Sequence, residues 1–81
     1  MNFFVWLGDK QQEYSKQGID VVVHIINGVI IINMSSEMRY FSQSIPHKMI
    51  ENMEDPQRVF TSTMNYLKSK LDEDKKVNQN V

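Results

Sequence analysis

Apolar residues dominate the stretch from Ile19 to Met34, and their order is that of two strands around a tight turn. Asn27-Gly28 sits between the two runs. A type I′ turn needs φ > 0 at both central residues, which Asn and Gly tolerate, so this dipeptide predicts a two-residue hairpin. Ile26 then pairs with Val29, and the side chains sort by alternation. One face carries Ile19, Val21, Val23, Ile25, Ile30, Ile32 and Met34, all apolar, and requires a cover. The other carries Asp20, Val22, His24, Ile26, Val29, Ile31, Asn33 and Ser35, apolar toward the turn and polar toward the open end. A helix is excluded because β-branched residues dominate and no polar stripe recurs at the helical period. A membrane span is excluded by length, since a bilayer needs about 20 apolar residues, and by Asp20, His24, Asn27 and Asn33.

Asn2 to Leu7 lacks a polar helical face and reads as a short strand, with Phe3, Val5 and Leu7 on one side and Phe4 and Trp6 on the other. Between Gly8 and Gly18 the chain is polar. Asp9 followed by Gln12 resembles a capping box, and Gly18 suits a helix stop, so a short helix over Lys10–Gln17 competes with a loop. Ser35 to Ser42 alternates again and predicts a third strand. A three-residue link through Ser35, Ser36 and Glu37 puts Met38 opposite Met34 and Tyr40 opposite Ile32 on the apolar face. Arg39 and Phe41 then join the mixed face. A two-residue link would direct Glu37 and Arg39 toward the apolar face, which desolvation disfavours.

Proline is tolerated at the first helical position, so Ile45-Pro46 opens a short helix to about Met53, with Met49, Ile50 and Met53 on one side. Asp55-Pro56 restarts a helix with Asp55 as N-cap. This helix is expected to reach roughly Asp72, and its apolar stripe is Phe60, Thr63, Met64, Leu67 and Leu71, flanked by Val59 and Tyr66. The expected fold is α+β: an antiparallel sheet of three to four strands around the hairpin 19–34, with the two C-terminal helices packed on one face. Residues 1–72 form one domain in this reading, and 73–81, with only Val77 and Val81 apolar, a disordered tail.

Composition narrows the function. Eighty-one residues without cysteine support one small core with neither disulfides nor thiolate metal sites. Two distant histidines are too few for zinc, which leaves oligomerisation as the expected source of extra stability. A net charge of −1 argues against a polyanion held by bulk electrostatics. The apolar Phe3–Leu7 run is too short for a signal-peptide core and no basic residue precedes it, so no signal peptide is expected and the expected compartment is the cytoplasm. The absence of Ala and the abundance of Ile, Asn, Lys and Met suggest an AT-rich coding sequence, as in a phage or mobile element.

No catalytic signature is present. Gly8, Gly18 and Gly28 are isolated rather than a phosphate loop. Ser44, His47 and Asp55 contain the residue types of a triad without its geometry, and Glu51, Glu54 and Asp55 read as a solvated helix end rather than a cation site. Neither an enzyme nor a cofactor is expected. The surface that invites explanation is the mixed sheet face, where Val22, His24, Ile26, Val29, Ile31, Arg39 and Phe41 form the candidate partner-binding set. His24 is on this reading a half-exposed sheet residue or a hydrogen-bonding residue in an interface. The expected function is a small non-catalytic protein-binding module, an accessory or inhibitory factor that occupies a partner protein's surface and is itself homodimeric. One alternative is single-stranded nucleic-acid binding by His24, Arg39, Tyr40 and Phe41. Another is a homo-oligomer that sequesters a small ligand.

Overall fold

The computed structural model describes residues 2–51 and 55–79, with side chains as far as residue 73. The order of elements is α1 (Phe3–Ser15), β1 (Asp20–Ile26), β2 (Val29–Ser36), β3 (Arg39–Pro46), α2 (His47–Glu51) and α3 (Pro56–Gln79). The strands form one antiparallel sheet in the order β1-β2-β3, and the class is the expected α+β. α1 packs on β1, while α3 packs on β2 and β3. Helices and sheet therefore make two layers with a single core between them.

The first element corrects the sequence reading, since residues 3–7 are helix rather than strand. Asn2 is the N-cap: its side-chain Oδ1 accepts the Phe4 N–H at 2.8 Å, satisfying a donor that the first turn leaves open. Phe3, Leu7 and Tyr14, with Trp6 beside them, then fall on one side of the helix and reach the core. Phe3 stacks on Trp6 at 5.6 Å and meets the Phe60 ring edge-on at 5.1 Å, which joins α1 to α3. The helix expected over Lys10–Gln17 is the second half of this one. It stops as Gly18 implied, because Gly18 at φ +78° lets its N–H reach the Ser15 carbonyl and the Ile19 N–H reach that of Tyr14. These are the two bonds of a Schellman closure, and Tyr14 and Ile19 at its ends are both buried. Burial raises the Tyr14 phenol above its ordinary pKa of 10.0, with Lys10 lowering it and Glu13 raising it further.

The hairpin forms in the predicted register, with Ile26 opposite Val29 and Val21 opposite Met34. Asn27 at φ 48° and Gly28 at φ 75° supply the left-handed pair that a type I′ turn demands. The link to β3 differs from expectation. It is a second two-residue turn, Glu37-Met38, at φ 51° and 68°, so Ser36 faces Arg39 and Met34 faces Phe41. Met38 is thus an exposed turn residue rather than the partner of Met34. Tyr40 turns to the outer face opposite Ser35, while Arg39 and Phe41 turn inward. Desolvation does not forbid this shorter turn, for a local reason. Glu37 sits in the exposed turn, and Arg39 sits at the rim of the core. There its guanidinium donates to the Leu71 carbonyl at 3.1 Å and to Glu37 at 3.1 Å.

Ile32, Met34, Met64 and Leu67 are fully buried at the centre, each contributing roughly 1.5–3 kcal/mol by leaving water. The α3 stripe is the predicted one in Phe60, Met64, Leu67 and Leu71, all buried, with Val59 packed beside them and Thr63 bonding back to the Val59 carbonyl. Its backbone continues past the expected end at Asp72 to Gln79. α2 begins at His47, because Pro46 closes β3 rather than opening the helix; Ile50 packs on the core and Met49 is half exposed, while the expected end at Met53, and Glu54, lie outside the described residues. Ile25, assigned to the covered face, is 67% exposed because the helices leave the turn end of β1 open.

Candidate functional site

Alternation and register together build the outer face of the sheet as four cross-strand rows. From the first turn outward they are Ile26–Val29–Pro46, His24–Ile31–Ser44, Val22–Asn33–Ser42 and Asp20–Ser35–Tyr40. The residues packed into the core from the strands are Val21, Val23, Ile30, Ile32, Met34, Phe41 and Ile45, every one from the opposite face. Both α1 and α3 lie on that opposite side, so among the described residues no element covers the outer face. Val22 is 45% exposed, Ile26 52% and Tyr40 61%. Ile31 and Val29, flanked by strands on both sides, are half-buried by their neighbours alone.

The rows grade from apolar to polar. Ile26, Val29, Ile31 and Val22 form a continuous aliphatic strip near the first turn, and the Tyr40 hydroxyl donates to Asn33 Oδ1 at 2.8 Å near the second. That bond fixes the tyrosine ring over the sheet and leaves its face to solvent. A surface of this composition supplies apolar area with a few polar groups to orient a partner. Of the sequence-derived set, Val22, His24, Ile26, Val29 and Ile31 are brought together. Arg39 and Phe41 are not, because the shorter turn places them on the helix side. Tyr40 takes their place and was missed for the same reason: one residue of register exchanges every side chain between faces.

A further grouping lies away from this face. An apolar cleft of about 330 Å³ opens between the start of α1 and the turn end of the sheet, with Phe3, Phe4, Val23, Ile25 and Phe60 in its walls. Among the described residues His47 is its one titratable lining residue, and its Nδ1 stands 2.9 Å from Glu51 Oε1. Ser44, His47 and Asp55 do not converge: Ser44 is on the outer face, His47 pairs with Glu51 and Asp55 precedes α3. Among the described residues there is no cluster of three metal-ligating side chains and no helix long and apolar enough to cross a membrane. Comparison with known proteins finds no matching family model, no matching curated protein and no matching solved structure.

Proposed function

We propose that this protein is a small protein-binding module, an accessory or inhibitory factor that works by occupying a partner's surface with the outer face of its sheet. The observation that carries this reading is the uncovered strip of Val22, Ile26, Val29 and Ile31, beside Tyr40 and His24, on a domain whose helices all lie on the other side. A two-layer domain this small needs its apolar residues for the core, and aliphatic side chains spent on a bare face are the mark of a contact surface. Tyr40 adds an amphipathic ring of the kind enriched where partners bind. The chemistry asked of the protein is occlusion, which requires neither a nucleophile nor a cofactor.

The experiment is affinity capture from the source cell with the wild type and with Ile31→Lys as paired baits. Ile31 is at the middle of the face, and lysine there places a charge in the strip without entering the core. A protein retained by the wild type and lost with a folded Ile31→Lys supports the reading. The same proteins on both baits, or none above background, would overturn it.

A further inference from the structure

We propose that a second copy of this chain docks along the β3 edge, the two β3 strands pairing antiparallel while the two α3 helices pack across the same twofold axis. This goes beyond the outer-face reading and does not depend on it.

Among the described residues the sheet has two open edges, and the helix layer decides between them. In a two-residue hairpin the residues flanking the turn exchange both hydrogen bonds, so backbone groups point outward at alternate positions. On β3 these are Tyr40, Ser42 and Ser44; on β1 they are Val21, Val23 and Ile25. Strands sit about 4.8 Å apart, whereas packed helices need 8–10 Å. Because α1 lies over β1, a copy added there would press two α1 axes to about 5 Å, and the Gln11 amide already caps the Val21 carbonyl at 3.0 Å. α3 lies over β2 and β3 together, set back from the edge. A copy added there brings the two α3 axes to about 10 Å, a packing distance.

The two layers also agree on where the axis falls. Arg39 bonds to Leu71 while Ser44 and Ile45 share a groove with Val59 and Ser62, so α3 runs antiparallel to β3. With a rise of about 3.3 Å per strand residue and 1.5 Å per helix residue, Gln43 lies beneath Ser62 and Thr63. A twofold axis through Gln43 pairs Ser42 with Ser44 of the second copy through their outward backbone groups, the Ser42 N–H of one copy replacing the exposed Gln43 amide that donates to the Ser44 carbonyl at 3.3 Å in the single chain. The same axis sets Ser62 against Thr63, two small side chains that permit close approach, and Val59 against Tyr66 of the second copy. Farther out it brings Asp55, beside Arg58, to Lys70 of the second copy, which stands 4.0 Å from its own Glu73, so both signs of charge meet at each end. Met49 and Tyr66, each about half exposed at this edge, would be covered. The product is a continuous six-stranded sheet whose outer face is doubled in area.

The chain has no cysteine, so single replacements report proximity directly. Light scattering on a sizing column should give twice the monomer mass for the wild type and for Ile31→Lys, and the monomer mass for Ser62→Arg, whose site is exposed in the single copy. Under oxidation, Ser62→Cys should form a disulfide-linked dimer. His24→Cys should not, because the two β1 strands stand about 24 Å apart, beyond disulfide reach. A monomeric wild type overturns the proposal. So does a dimer that survives Ser62→Arg, is lost with Ile31→Lys, or cross-links through His24→Cys in preference to Ser62→Cys.

Discussion

Met38 shows what a single backbone angle decides. It stands at φ 68°, with Glu37 at 51°, in a turn whose geometry favours Asn-Gly. A non-glycine residue in the left-handed region costs about 1–3 kcal/mol, and the exposed Met38 side chain recovers none of it by packing. Met38→Gly should therefore raise the free energy of unfolding by about 1 kcal/mol, read as a higher urea midpoint at unchanged slope. A lower midpoint would show that the side chain makes a contact outweighing the strain. The same residue explains why the second turn was illegible. Asn27-Gly28 advertises its conformation, whereas Glu37-Met38 adopts it against preference, so the turn reads from sequence as ordinary alternating strand.

At the scale of elements, α1 is held from outside itself. Its sequence looks strand-like at one end and loop-like at the other, with Gly8 between, and the capping-box signal at Asp9 and Gln12 falls inside the helix, whose actual start is the Asn2 cap. What stabilises it is packing: Phe3 on Phe60, Tyr14 in the core, and the Gln11 amide on the β1 edge. Gly8 lies in helical conformation with open space where a Cβ would stand, so it contributes backbone freedom to the unfolded chain and nothing to the folded one. Gly8→Ala should stabilise the domain by about 0.5–1 kcal/mol in thermal or urea unfolding. A destabilising result would mean that this position is not interior helix. α3 is the opposite case. Its stripe of Phe60, Met64, Leu67 and Leu71 is legible in one dimension, and the structure buries all four.

For the whole molecule, the telling contrast is between neighbours on β2. Ile31 faces the bare side and Ile32, fully buried, faces the helices. Ile31→Lys should keep the far-UV circular dichroism and a cooperative transition. Ile32→Lys should abolish cooperative unfolding, because an unpaired charge in this small core exceeds what the domain can tolerate. Equal tolerance at both positions would mean that the sheet is covered on neither side or both. The sidedness also sets the limits of the surface read from sequence. Val22, His24, Ile26, Val29 and Ile31 were legible because the hairpin register follows from Asn27-Gly28. Arg39 and Phe41 were misassigned because their face depended on the second turn.

Local chemistry determined the pieces whose reasons are local. Left-handed tolerance at Asn27-Gly28 placed the first hairpin, alternation sorted its two faces, Gly18 ended α1, and the helical period marked the buried side of α3. Tertiary structure decided what local preference leaves degenerate. Whether Phe3 to Leu7 is helix or strand depended on Phe60 and the sheet beneath it. Whether Phe41 or Tyr40 faces inward depended on a strained two-residue turn that core packing enforces. Which side of the sheet stays bare depended on both α1 and α3 choosing the face without Asp20 and His24, since burying those groups unpaired would cost more than leaving Val22, Ile26 and Ile31 in water.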